Sequence, residues 1–403
     1  MKTWPNLELE RVGFDFPALK LNATEGTALN RKDFNSYVCG ITPYDATHLG
    51  HARTYLNFDL IHRYQLLAGK ELHFTENVTD VDDPLLARAS ATNVDWKDLA
   101  HNQTELFVRD MTALRILPPA TFLSVSETID LVINGITILK DLGFVYEVEG
   151  DYYFDISSDL AKLPIPIEEA LKIFAERGGD PDRIGKKHKL DPLLWRKKIE
   201  GEPSWSSPFG EGRPGWHIEC GVIAIKGAAD CNDEYLLDLQ GGGSDLVFPH
   251  HFMTKIITEK IAGKKFAAEL VHIGMLGLDG EKMSKSKGNL VFVHKLLDDG
   301  WDPIVIRYAL INRKYSQESM WTANDLNLAK IAVDKIRTAL AKIEVSETTP
   351  VINEMIKAIS NDLDISKSLE ILDSWCDKSI AGSTGGSVGA MSRFLDGALG
   401  LSI

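Results

Sequence analysis

The chain has 403 residues, with 44 Lys+Arg against 58 Asp+Glu and a formal net charge of −14. At 44% hydrophobic and 25% charged it has an ordinary globular composition, with length for roughly two to three domains, which excludes disorder and collagen. The acidic excess argues against a protein that grips nucleic acid through a broad basic surface, while leaving room for a local basic patch.

Residues 36–41 read as a short buried strand, followed by the breaker Pro43. Leu49, Ala52, Leu56, Leu60, Tyr64 and Leu67 then recur at steps of three and four, predicting an amphipathic helix closed by Gly69. A second strand over 71–75 completes a βαβ unit, which implies a parallel sheet. Helices are expected over about 84–116, ahead of Pro118-Pro119, and over 126–142; residues 144–155 read as a hairpin turning at Glu149-Gly150-Asp151. Residues 156–200 hold the turn-rich Glu176-Arg177-Gly178-Gly179-Asp180-Pro181 and the basic Lys186-Lys187-His188-Lys189, as expected of an insertion between two halves of a nucleotide-binding fold. Strand-like segments return near 235–240 and 270–276. Past about 303 the pattern is helical, interrupted by a Gly/Ser-rich stretch over 382–389 that reads as a mobile surface loop.

Four cysteines, Cys39, Cys220, Cys231 and Cys376, are too few and too scattered for a disulfide framework, so a reducing cytoplasm is expected. The opening MKTWPNLELE lacks the apolar core of a signal peptide. No stretch approaches the ~18–20 apolar residues of a membrane span.

Two motifs carry phosphate chemistry. His48-Leu49-Gly50-His51 stands where the first strand passes into the first helix, with both imidazoles on one face of the opening turn. A helix N-terminus at the carboxyl end of a parallel strand offers free N–H groups and a positive dipole end to an anion. Gly50 keeps a side chain out of the way of a flat ligand. Lys282-Met283-Ser284-Lys285-Ser286, followed by Lys287-Gly288-Asn289, has the ammonium and hydroxyl groups that suit a triphosphate. Taken singly, a His-x-x-His pair or a basic turn is equally at home in a purely structural role. The Asp80, Asp82, Asp83 cluster before Pro84 reads as helix capping rather than a metal site.

Together, His48-Leu49-Gly50-His51 and Lys282-Met283-Ser284-Lys285-Ser286 resemble the paired signature of class I aminoacyl-tRNA synthetases. The resemblance implies an α/β fold: a class I synthetase-like Rossmann core with an inserted connective domain, then a C-terminal helical domain. Its expected bounds are 1–120 for the first half of the core, 121–205 for the insertion, 206–302 for the second half and 303–403 for the helical domain. Cys39, Cys220 and His250 resemble the zinc positions of cysteinyl-tRNA synthetases, which select cysteine through its thiolate. By spacing alone the two cysteines read as buried apolar thiols. Thr254 stands where the synthetase has a fourth, glutamate ligand, leaving three protein ligands and an open position. The run from Cys39 to His51, the total length and Glu176-Arg177-Gly178-Gly179-Asp180-Pro181 resemble the cysteine ligases of mycothiol biosynthesis more closely.

That resemblance implies ATP with Mg²⁺ and one Zn²⁺ per chain as cofactors, and L-cysteine, ATP and glucosaminyl-inositol as substrates. It also implies a monomer that acts without tRNA or membrane. His48 and His51 are assigned to the phosphates, and Lys282 with Lys285 to the departing pyrophosphate. Gly40, Ile41, Thr42, Thr54, Asn77, Val78, Thr79, Trp216, Gly243, Ser244, Asp245 and Leu276 are assigned with Cys39 to the cysteinyl-adenylate. Trp216 reads equally as a core residue, and Asp245 and His51 both remain as the base for the second step. From residue 301 onward eleven Lys+Arg face thirteen Asp+Glu, without the basic face usual for reading tRNA. A cysteinyl-tRNA synthetase is the alternative reading, and a non-catalytic binding paralogue the third.

Overall fold

The computed structural model describes residues 1–10, 12–22, 31–229, 234–278, 280–283 and 288–403. The chain opens with β1 (Asp33–Ile41), α1 (Leu49–Leu67), β2 (Glu71–Val78), α2 (Asp83–Thr92), α3 (Trp96–Ala113) and β3 (Thr121–Ser124). After α4 (Ile129–Asp141) comes a separate antiparallel sheet of β4 (Val145–Val148), β5 (Asp151–Phe154), β6 (Leu193–Lys197) and β7 (Gly212–Pro214), with α5 (Ile167–Glu176) between its second and third strands. Then α6 (Trp216–Gly227) leads to β8 (Tyr235–Gly243), α7 (Phe252–Ala262) and β9 (Lys265–Ile273).

The main sheet runs β3-β2-β1-β8-β9, parallel throughout. Residues 34–39 of β1 are buried on both faces, as a central parallel strand requires. Strand order reverses between β1 and β8, and an open α/β sheet binds its ligand in the crevice at that point. Beyond the sheet lie β10 (Leu276–Leu278), β11 (Glu281–Lys282), α8 (Val293–Asp298), α9 (Pro303–Ile311), β12 (Ser319–Trp321), α10 (Asn324–Leu340), α11 (Thr349–Ser360), α12 (Ile365–Ile380) and α13 (Val388–Leu399). β12 interrupts the helical pattern expected past 303, because residues 319–321 pair in parallel with 276–278. A run of three residues has no periodicity to read.

The first helix is not amphipathic. Arg53, Asn57, Asp59, His62, Arg63 and Gln65 are as buried on α1 as its apolar residues. The sheet covers one side of the helix, and α9 and α13 cover the rest. Most of these polar side chains have partners inside: His62 Nε2 meets Ser36 Oγ at 2.8 Å, Arg63 Nε donates to Asp59 at 2.8 Å, and Asn57 Nδ2 donates to Arg53 O at 2.8 Å. The Gly/Ser stretch is also tied down. Gly386 N–H donates to the Val345 carbonyl at 2.9 Å, and Ser387 Oγ caps α13 by accepting from Ala390 N–H. A Cβ at Gly386 would lie 1.9 Å from the Ser346 carbonyl oxygen, so glycine is what admits this approach.

Candidate active site

A cavity of about 980 Å³ opens at the carboxyl ends of the parallel strands. Its lining includes Cys39 to Thr42 at the end of β1, Asn77 and Thr79 at the end of β2, Gly243 and Asp245 at and just past the end of β8, and Leu276. Asn77 organises this edge. Its Oδ1 accepts from Gly40 N–H at 2.9 Å and from the Tyr37 hydroxyl at 2.8 Å, and its Nδ2 donates to Thr79 Oγ1 at 3.0 Å. A Cβ at Gly40 would stand 1.6 Å from the Asn77 carbonyl oxygen. Val78 and Ser244 are not among the lining residues: Val78 is packed in the core, and its carbonyl accepts from Val125 N–H at 3.0 Å.

His48 is the N-cap of α1. Its Nδ1 accepts from Gly50 N–H at 3.1 Å and from His51 N–H at 3.4 Å. Acceptance at Nδ1 puts the proton of the neutral ring on Nε2, which is thereby a donor. The His51 ring stacks on His48 with centroids 3.8 Å apart, and both line the cavity together with Thr54. Gly50 serves a closer neighbour than a flat ligand: a Cβ there would lie 2.8 Å from the His48 ring. The chain after the lysine-serine motif is bonded to this turn, with Leu49 N–H donating to Val291 O at 2.8 Å and Val293 N–H to Thr47 O at 3.1 Å. The chain before it is held by the buried Arg53 guanidinium, which donates to the carbonyls of Gly274, Met275, Lys314 and Gln317 at 2.6–3.2 Å. Within the motif, the Lys282 backbone pairs with Gly277 and Met283 lines the cavity, whereas Lys285 lies outside the described residues.

Cys39, Cys220 and His250 each present a donor atom, all lying within 4.8 Å of one another, and all three residues are buried. They come from the end of β1, the middle of α6 and the turn ahead of α7, so only the folded sheet edge unites them. Burial lowers the His250 ring well below its usual value, and the neighbouring His217 and His251 lower it further, so it stands as neutral imidazole. The hydrogen bond with Cys39, then burial, raises the Cys220 thiol. His217 Nδ1 is 3.2 Å from His250 Nδ1, and Trp216 stacks on the His250 ring at 4.1 Å and 16° while lining the cavity. His251 Nε2 lies 3.2 Å from Cys39 Sγ, and its Nδ1 lies 2.7 Å from His272 Nε2. The Thr254 hydroxyl donates to the His217 carbonyl at 3.1 Å, a structural use. Two sulfurs and one imidazole within this distance are a donor set chemically suited to zinc. Cys231 lies outside the described residues.

Sequence reasoning missed much of the remaining wall. Asp82 caps α2, accepting from Asp83 N–H at 2.8 Å, and burial pushes its carboxyl up to about 6. Arg196, Arg213 and Tyr153 also line the cavity, as do Arg177 and Asp180 from the Gly-Gly turn. No spacing rule joins these positions. Two signals were present: the helix breaker Gly178-Gly179 after α5, and the acidic cluster before Pro84 read as helix capping, which Asp82 bears out.

Residues 26–331 match the family of class I (C) tRNA synthetase catalytic domains. A Streptosporangium roseum protein named L-cysteine:1D-myo-inositol 2-amino-2-deoxy-alpha-D-glucopyranoside ligase is 50% identical over 350 residues, covering 86% of this chain and 84% of its own. Its namesake from Xylanimonas cellulosilytica is 46% identical over 419 residues, covering 100% of each chain. Among solved structures, Mycobacterium tuberculosis methionyl-tRNA synthetase in complex with methionyl-adenylate aligns with a TM-score of 0.64 at 17% identity, over 92% of this chain and 89% of that one. The LeuRS ternary complex of Agrobacterium radiobacter K84 aligns at 0.63 and 10%, over 96% and 85%. At such identities these structures speak for the fold alone. The identities near one half across almost the whole of both chains go further: this chain belongs to the family of L-cysteine:1D-myo-inositol 2-amino-2-deoxy-alpha-D-glucopyranoside ligases, built on a class I synthetase catalytic domain.

Proposed function

We propose that the protein joins L-cysteine to the amine of glucosaminyl-inositol in an ATP-dependent reaction through a cysteinyl-adenylate, releasing AMP and pyrophosphate. The observation that carries this reading is one cavity that holds both the Cys39, Cys220, His250 donor cluster and the His48–His51 helix start. The names of the relatives, at 50% and 46% identity, support the substrates.

In the first step a cysteine carboxylate oxygen bonds to the α-phosphorus of ATP, and the bond to the bridging oxygen of the pyrophosphate breaks. The carboxylate is already ionised at pH 7, so positioning and charge stabilisation do the catalysis. His48 and His51 meet the phosphates, and Lys282 and Lys285 steady the departing pyrophosphate. Mg²⁺ accompanies ATP, bound mainly by its phosphates and water. Cys39, Cys220 and His250 would hold one zinc ion per chain, which would supply a soft acid favouring a thiolate over a hydroxyl and so cysteine over serine. Gly40 to Thr42, Thr54, Asn77, Thr79, Trp216, Gly243, Asp245 and Leu276 surround the adenylate, with Val78 packed behind them in the core.

In the second step the amine nitrogen bonds to the adenylate carbonyl carbon, AMP leaves with its oxygen, and the nitrogen gives up a proton. Asp245 and His51 are the candidate bases. The protein works as a cytoplasmic monomer without tRNA, a compartment supported by the free thiols of Cys39, Cys220 and Cys376. No helix among the described residues is long and apolar enough to cross a membrane. Incubation with cysteine and ATP plus either glucosaminyl-inositol or tRNA, followed by AMP release and acceptor modification, tests the reading. Charging of tRNA with no turnover of the amino sugar would defeat it.

A further inference from the structure

Part of the cavity wall belongs neither to the sheet edge nor to α1. It comes from the start of α2 and from the insertion, and it presents four arginines, Arg177, Arg183, Arg196 and Arg213, with five carboxylates. The arginines are already paired. Arg196 Nη1 donates to both Asp83 oxygens at 2.9 and 3.2 Å, and Arg213 bonds Asp83 and, at 2.8 Å, Glu202. Arg183 meets Asp151 at 2.9 Å, and Arg177 meets Asp245 at 3.6 Å. Asp180 accepts from the Tyr153 hydroxyl at 2.5 Å and from Lys186 at 2.8 Å.

The turn that carries Arg177 and Asp180 is built for close approach. Gly178 has φ of 86°, and a Cβ at Gly179 would lie 2.5 Å from the Phe174 ring. The Arg177–Asp245 pair then ties this turn to the end of β8, which is part of the adenylate pocket proposed above.

The charge balance tells which chemistry the wall fits. A polyphosphate or an RNA end needs uncompensated cations. Here each guanidinium already faces a carboxylate, and the two signs are nearly equal in number. A hydroxyl group donates and accepts at once, so a diol can give its hydrogen to a carboxylate while its oxygen accepts from the adjacent guanidinium. A primary ammonium finds carboxylates on the same wall.

We propose that the Asp83–Arg196–Arg213 cluster and the Arg177-to-Asp180 turn form the acceptor subsite, which takes an uncharged polyhydroxylated ring system bearing one amine. This rests on the amide-forming reading given above. The test separates the two half-reactions. Cysteine-dependent exchange of pyrophosphate into ATP reports adenylate formation, and steady-state ligation to glucosaminyl-inositol reports the acceptor. In Arg196→Ala and Asp180→Asn the KM for glucosaminyl-inositol rises by roughly 10–100-fold, the scale of one lost charge-assisted hydrogen bond, while pyrophosphate exchange stays within about twofold of wild type. An unchanged acceptor KM in both variants, with wild-type ligation intact, overturns the subsite alone. Loss of exchange in step with ligation also overturns it, because the residues would then serve the fold or the adenylate. A wild-type protein that exchanges pyrophosphate with cysteine but never ligates glucosaminyl-inositol instead overturns the functional reading on which the subsite rests.

Discussion

Substitution of Asp59 by asparagine tests whether the catalytic helix depends on the C-terminal helices. The Asp59 carboxylate is fully buried between two equally buried guanidinium groups, with Arg63 Nε at 2.8 Å and Arg307 Nη2 as a second direct partner. Its other oxygen accepts from Leu117 N–H at 2.8 Å. Both arginines also reach α13, with Arg307 Nε donating to Leu399 O at 2.7 Å and Arg63 Nη1 to Asp396 O at 2.8 Å, and both bond the chain just after α3, through Leu114 O at 2.7 Å and Arg115 O at 2.6 Å. The amide in Asp59→Asn would keep the bond from Leu117 but leave two buried cations without an anion. Removing one partner of a buried ion pair costs about 3–5 kcal/mol. At about 1.4 kcal/mol per tenfold, that is roughly a 10²- to 10⁴-fold drop in the folded-to-unfolded ratio.

Urea unfolding followed by fluorescence, with hydrogen exchange on residues 388–401, reads the effect. The midpoint falls in Asp59→Asn, and the amides of α13 lose protection first. Burial raises the Asp59 carboxyl, but Arg63 and Arg307 outweigh it and hold the group below its ordinary value. The wild type therefore has this stabilisation in full above the unfolded value of about 4, and loses it as pH falls through the lower folded value. The gap between variant and wild type is constant at neutral pH and narrows in acid. A gap below about 1 kcal/mol at pH 7, or protection of α13 left as in wild type, would refute the reasoning.

Asp110 should behave in the opposite sense. Burial pushes its carboxyl up to about 7, outweighing Arg109 and the nearby Thr47 hydroxyl, and among the described residues neither oxygen meets a donor in full hydrogen-bond geometry. Wild-type stability then falls as pH rises from about 4 to 7, and Asp110→Asn escapes that loss, gaining on the order of 2–4 kcal/mol by pH 8; equal pH profiles in thermal unfolding would count against it. For the proposed zinc site, metal analysis should find about one zinc per chain, lost in Cys220→Ala, His250→Ala and Cys39→Ala; full metal in any one variant removes that residue from the set. Gly40→Ala forces the β1 and β2 backbones apart at the cavity edge, an overpacking cost on the order of 1–3 kcal/mol borne where the substrate sits, so pyrophosphate exchange should collapse. Wild-type exchange in Gly40→Ala would show that the edge yields more easily than its geometry implies.

How far the molecule was legible depended on whether a feature leaves a local pattern. The strand at 36–41 and the helix from Leu49 to Leu67 stand where apolar spacing puts them, with Gly69 just beyond. What the spacing missed was the helix's environment. A period computed on apolar residues treats Arg53, Asp59, His62 and Arg63 as a wet face. Here that face is dry because other parts of the chain supply carbonyls, the Ser36 hydroxyl and the Arg307 guanidinium, while Asp59 serves as anion from within the helix. Apart from the Asp59–Arg63 pair, the sequence of α1 does not contain these partners, so its periodicity could not report them.

The active site divides along the same line. His48 and His51 were readable because one helical turn holds both, and even the His48 tautomer follows from a local bond, its Nδ1 accepting from Gly50 and His51 N–H. Cys39, Cys220 and His250 needed the resemblance, since their meeting depends on the order of strands in the sheet. The choice between adjacent histidines depends on it too: the turn ahead of α7 places His250 in the donor cluster and sends His251 to His272, with one bond back to Cys39. The insertion wall is the extreme case. Asp83, Arg177 and Arg196 come from three separate elements, and their paired charges make a surface only once the insertion sheet packs beside the start of α2. If that wall selects the acceptor, specificity has been placed where the parent nucleotide-binding fold is least constrained. The adenylate chemistry stays on the sheet edge and helix start that any member of this fold must keep.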